Sequence, residues 1–243
     1  MKRTLINVNA YLKGLVIAIR PHIFFGWLSH PLLMASNILS LTRWAANQDR
    51  KNILNDFYSP SRDHSKRYQL YQYVSDKLNL KNEDVDYLEF GVCGGHSFNW
   101  WISNCNNSNS KFYGFDTFEG LPENWGTYNK GDMTAGIPDI KDARADFIKG
   151  LFQNTLPNFL SDHNMKNRKR KIIHLDADLF SSTLFVLTSL APFLKKGDLL
   201  LFDEFNVPNH EFFAFKMFCD SYYIKTKLVG AVNNYYQVAL VIE

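Results

Sequence analysis

Carboxylates gather at the ends of apolar runs in this chain. Ile172–Leu175 is followed by Asp176 and Asp178, and Leu199–Phe202 by Asp203 and Glu204. Asp116 closes "KFYGF" in the same way, and Glu89-Phe90 leads into the turn from Gly91 to Gly95. An apolar run that ends in an acid reads as a buried strand emerging at a rim, which is where open parallel sheets bind ligands. If the runs before Asp176 and Asp203 are neighbours, then Asp176, Asp203 and Glu204 converge on one hard cation such as Mg2+, able to hold a substrate hydroxyl and lower its pKa. Helix capping is the competing role: Asp178 or Ser182 could cap the helix that follows. Three carboxylates converging without a cation would repel one another.

The turn "GVCGG" suggests a second kind of chemistry. It lets backbone approach a ligand closely, and the helix behind it offers free N–H groups to a carboxylate or phosphate. Asp116, 25 residues beyond Gly91, is placed to accept hydrogen bonds from a ribose diol. Turn and acid together predict a nucleoside-containing cofactor. The spacing is G-x-C-x-G with histidine at 96, not G-x-G-x-x-G, which argues against a nicotinamide dehydrogenase.

Such residues need a scaffold that delivers several strand ends to one side. "SKRYQLYQYVSDKLNL" spaces Tyr68, Tyr71, Val74 and Leu78 as an amphipathic helix, and "GGHSFNWWISNC" opens another at its glycines and Ser97. Strands are predicted in "VDYLEFGV", at 111–116, 147–152, 171–178 and 197–205, and further helical stretches at 141–146, 156–163, 182–194 and 210–223. Continuous apolar strands alternating with helices predict an α/β fold with a parallel sheet covered on both faces. "YIKTKLVGA" and "YYQVALVIE" leave no room for a helix between them and predict a terminal antiparallel hairpin.

At 243 residues and 46% hydrophobic, the chain can bury one core with an appendage. The division expected is a helical extension over 1–65 and the main domain over 66–243. Twenty-seven basic against 24 acidic side chains is too even a balance to make nucleic acid a partner, and "KNRKRK" (166–171) reads as a solvated loop. Cys93, Cys105 and Cys219 form no C-x-x-C pair, which suits a reduced, cytoplasmic setting. "IFFGWLSHPLLMASNILSL" is as long as a membrane span but holds His30, Pro31, Asn37 and three serines. Amphipathic helices are expected there, packing on the domain, covering substrate or forming a homo-oligomer contact, with attachment to a membrane surface as the alternative.

"YLEFGVCGG", "FYGFDTFEGLPENW", "IIHLDADLFSST" and "LLLFDEF" together resemble the class I S-adenosylmethionine-dependent methyltransferases, within them the macrocin O-methyltransferase-like group, over residues 66–243. The resemblance implies a Rossmann-like three-layer sandwich whose seven-stranded, mostly parallel sheet ends in an antiparallel hairpin. It implies that Glu89, Gly91 and Gly95 form the turn at the methionine end of S-adenosylmethionine, that Ser97 meets the cofactor carboxylate and that Asp116 takes the ribose. Phe152 and Gln153 would lie beside the adenine, and Asp176, Asp203 and Glu204 would be the metal ligands. Two departures stand out. Cys93 replaces the middle glycine of the turn, tolerable if that position needs no positive φ, and Leu179 stands where catechol-type relatives carry a lysine base. Asp178 or His210 could serve instead, or a metal ion alone could acidify the hydroxyl. The expected reaction is O-methylation of a sugar, another small polyol or a natural product, with Glu119–Ile140 as a mobile lid and Trp125 and Tyr128 suited to stacking on a sugar. The alternatives are a metal-independent methyltransferase and a non-catalytic cofactor-binding or membrane-surface assembly protein.

Overall fold

The structure, a computed structural model, describes residues 2–166 and 169–243. The chain begins with three helices, α1 (Lys2–Ile19), the short α2 (His22–Phe25) and α3 (Ser29–Ala46), and a two-residue strand β1 (Leu54–Asn55). Alternation then sets in with α4 (Lys66–Lys77), β2 (Val85–Phe90), α5 (His96–Asn104), β3 (Lys111–Asp116), β4 (Ala145–Lys149), α6 (Phe152–Asp162), β5 (Arg170–Leu175), α7 (Phe180–Leu190), β6 (Leu199–Phe202) and α8 (Glu211–Tyr222). The chain closes with β7 (Thr226–Val232) and β8 (Gln237–Ile242).

Among the described residues the strands form one sheet in the order β1-β7-β8-β6-β5-β2-β3-β4, all parallel except β8. Seven of these strands and the terminal hairpin match the expectation. The eighth, β1, pairs in parallel with Gly230 and Ala231 at the edge, and two residues are too few to show a period. Every residue of β2 and β6 is buried, as strands covered on both faces require. Alternate residues feed two cores. Tyr87, Phe112 and Leu201 pack with α4 and α5; Phe90, Leu175 and Phe202 pack with α6, α7 and α8.

Two local expectations are corrected. Residues 141–144 are not helical. Arg144 donates to the carbonyls of Ile102, Cys105 and Asn107 at 2.6–3.2 Å and pairs with Asp142, which ties the segment across the end of α5. The third strand ends at Lys149, because Gly150 (φ +143°) turns the chain so that Leu151 can precede α6. In the basic run 166–171, Asn167 and Arg168 lie outside the described residues, whereas Lys169 and Arg170 pair with Asp84 and Glu83 at 3.0 Å.

The register puts the site together. Phe115, Phe90, Leu175 and Phe202 pair level across β3, β2, β5 and β6. The next residues, Asp116, Gly91, Asp176 and Asp203, therefore emerge at one height on the carboxyl-terminal rim. The sheet order reverses between β2 and β5, which is the switch point where such sheets hold ligands.

Candidate active site

A cavity of about 320 Å³ opens at this switch point. Its floor is the turn after β2, and its walls include Ser97, Asp116, Phe152 and Gln153 on one side and Asp176, Asp178, Asp203 and Glu204 on the other. The structure thus brings both predicted groups, the cofactor set and the acidic set, into one chamber.

Gly91 (φ +94°) is needed for a reason the sequence does not disclose: a Cβ there would stand 1.9 Å from the Asp176 carbonyl oxygen. The tight turn lets the ends of β2 and β5 touch. Gly95 (φ +74°) precedes α5, and a Cβ on it would meet the Pro138 ring at 2.7 Å, so it seats the loop after β3. Cys93 does adopt positive φ, +47°, contrary to the condition on which its tolerance rested. Its backbone N–H donates to Asp116 Oδ2 at 2.8 Å, while Asp116 Oδ1 accepts from the Phe118 N–H at 2.7 Å. The carboxylate at the end of β3 thereby holds the turn after β2 and compensates the strained residue in it.

Beneath the turn lies a chain of buried polar side chains. Tyr87 donates to Glu89, and its oxygen lies 2.7 Å from His174 Nδ1. Tyr71 bridges His174 Nε2 and Ser97 Oγ, both at 3.2 Å. One proton assignment satisfies the chain: Ser97 donates to Tyr71, Tyr71 to Nε2 and Nδ1–H to Tyr87. Burial, with Arg67 nearby, holds the His174 pKa down at about 3, so the ring is neutral. Burial raises the Glu89 carboxyl to about 8, against the Tyr87 hydrogen bond that lowers it. His174 is thus a satisfied core histidine, and it connects Glu89 with Ser97.

Across the cavity, burial first and Asp203 next push the Asp176 carboxyl well up. Asp203 and Glu204 are raised by burial against lowering by Arg67 and Tyr236, respectively. Among the described residues no three His, Cys, Asp or Glu side chains stand as a metal-holding group. The cation present is Arg67 of α4, 2.9 Å from Asp203 Oδ2 and 4.0 Å from Asp176 Oδ2. Tyr236, in the β7–β8 turn, donates to Glu204 Oε1. Asp203 Oδ1 and Glu204 Oε2 are buried without a partner. Neither Arg67 nor Tyr236 carries a local sequence signal, because each reaches the rim from an element far from it in the chain.

The proposed cap is corrected. Leu179 precedes α7 and no side chain caps that helix. Asp178 instead adopts a left-handed conformation (φ +57°) that aims it into the cavity, and burial, then Glu204 and Asp203, raise it to about 7. His210 is not among the residues lining the cavity. Its ring lies 6.3 Å from that of Trp125, and burial lowers its pKa against the Asp178 backbone, which raises it. In the segment after β3, Trp125 and Tyr128 stack on each other at 5.4 Å, while Leu121 and Met133 line the cavity.

A parallel sheet in this order, with antiparallel β8 set between β6 and β7, is the class I methyltransferase fold. Residues 88–205 match the family model described as a methyltransferase domain, and the fold is that of the class I methyltransferases. Among solved structures it is similar to the calicheamicin methyltransferase CalS11 (20% identity over 85% of this chain and 91% of that one, TM-score 0.55). The apo form of CalS11, titled a TDP-rhamnose 3'-O-methyltransferase, gives 0.50 at 20% identity over 85% and 93%. The O-methyltransferase NovP gives 0.52 at 18% identity over 73% and 78%. No curated protein sequence matches the chain.

Proposed function

We propose that the chain transfers the methyl group of S-adenosylmethionine to a hydroxyl of a sugar, another small polyol or a natural product, in the manner of the macrocin O-methyltransferase-like group. The observation that carries this reading is the single cavity shared by the glycine turn with Asp116 and by the acidic cluster. CalS11 and NovP, named as O-methyltransferases and in one case as acting on a nucleotide sugar, support the acceptor class.

In this reading Glu89 and Ser97 hold the amino acid end of the cofactor, Asp116 the ribose, and Phe152 and Gln153 the adenine. The hydroxyl oxygen attacks the methyl carbon in line with the departing sulfur, and Asp178 takes the proton. S-adenosylhomocysteine and a methyl ether leave. Much of the advantage lies in orientation, which is worth about 7–11 kcal/mol when reacting atoms are held in line.

The donor chemistry fits a hard divalent cation such as Mg2+, because two buried carboxylate oxygens, on Asp203 and Glu204, lack a partner. Asp176, Asp203 and Glu204 would hold it, and when bound it would lower the pKa of the acceptor hydroxyl. One observation favours a metal-independent second reading: Arg67 already faces Asp176 and Asp203 with a positive charge. Transfer of labelled methyl to a panel of sugars and polyols, with Mg2+ or with a chelator, separates the two. Loss of transfer under chelation supports the metal reading, and full retention supports Arg67 as sufficient. Asp178→Asn is expected to lower kcat by about 10²–10⁴ while S-adenosylhomocysteine still binds. Unchanged turnover in that variant would remove Asp178 as the base.

A further inference from the structure

The first 48 residues hold five basic side chains and no acidic one, whereas the rest of the chain holds 22 basic and 24 acidic. This segment has two parts. The second half of α3 is docked: Trp44 packs at 4.7 Å from Phe205, and Asn37 donates to Asn209 at 2.9 Å. By contrast, α1 is exposed along its whole described length. Leu5, Val8, Leu12, Leu15 and Ile19, spaced alternately by three and four, make one apolar stripe, and Leu15, the least exposed of them, is still 45% exposed. Val16 widens it on one side. After Pro21 the apolar surface continues through Phe24, Phe25 and Trp27, each more than 60% exposed.

We propose that α1 and α2 lie on the surface of an anionic lipid bilayer and hold the methyltransferase domain there. Charge selects this occupant. A second copy of residues 1–28 would bring Lys2, Arg3, Lys13 and Arg20 against the same four cations, whereas anionic headgroups complement them. Lys2, Asn9 and Lys13 share one face beside that arc, where long basic side chains reach headgroups while their stems stay with the apolar surface. No helix among the described residues is long and apolar enough to cross a membrane, so the contact is interfacial. Trp27 and the neighbouring phenylalanines suit the interface between headgroups and acyl chains.

The test is flotation of the full chain with vesicles of phosphatidylcholine alone or mixed with phosphatidylglycerol, at low and high salt. The expected result is binding to the anionic vesicles that is about tenfold weaker on phosphatidylcholine alone and weakened by salt. Leu12→Asp, and separately Lys2→Glu with Lys13→Glu, should abolish flotation without moving the unfolding midpoint, because α1 packs on no core. Equal binding to both vesicle types would overturn the proposal. So would failure to float together with a discrete dimer, seen by light scattering, that Leu12→Asp dissolves, since the second copy would then be the occupant.

Discussion

At the residue scale burial is the first cause that raises Glu89, Asp176, Asp178, Asp203 and Glu204, and the partners of each then set how far. Glu89 was legible as an acid near a strand end, but its protonation was not, because that depends on Tyr87 and on the burial of both side chains. In the free protein its pKa of about 8 keeps it mostly neutral at pH ~7. If Glu89 holds the cofactor ammonium as proposed, it does so as the carboxylate, and a proton leaves on binding. The sign follows: affinity for S-adenosylhomocysteine should rise as pH climbs toward about 8 and level off above it, by up to about tenfold per pH unit. Calorimetry in buffers of different ionisation enthalpy should register the released proton. Glu89→Gln, which imitates the neutral acid, should fold normally, bind more weakly and lose the pH slope. A slope that persists in Glu89→Gln would assign it to another group. Asp178 illustrates a different limit of sequence reading. A carboxylate just before a helix reads first as its cap, and only the left-handed backbone of Asp178 and the uncapped α7 remove that role.

At the element scale the strand ends are held level by register and in contact by one glycine. The apolar runs revealed five of the strands, and the missing helix room revealed the hairpin. The reason for Gly91 stayed hidden, since nothing near it in sequence indicates that the Asp176 carbonyl lies against its Cα. Gly91→Ala should therefore push β2 and β5 apart at the rim, costing about 3 kcal/mol in denaturant unfolding and weakening S-adenosylhomocysteine binding together with it. Gly126→Ala is the control. Gly126 also has positive φ (+55°), but a Cβ there meets nothing within 4 Å, so strain alone should cost about 1 kcal/mol. Equal effects of the two substitutions would mean that the contact with β5 is unimportant. The false helix at 141–146 has a matching cause. Propensity is local, and Arg144 holds that segment through carbonyls some forty residues away.

At the scale of the whole molecule, one chamber at the switch point unites the glycine turn and Asp116 with a carboxylate cluster, and the acid-free first 48 residues dock on the domain through Trp44. The fold was legible because it is written in repeating apolar runs. The partners of the acidic cluster were not, because Arg67 comes from α4 and Tyr236 from the last hairpin, brought together only by closure of the sheet. We read this chamber as a functional S-adenosylmethionine site. The most direct measurement is calorimetric titration of S-adenosylhomocysteine into the full chain and into Asp116→Ala. Saturable binding of one molecule per chain is expected, weakened about tenfold or more in the variant by loss of the ribose contact and of the Cys93 hydrogen bond. Absence of binding to the wild-type chain, or equal binding by both proteins, would contradict it.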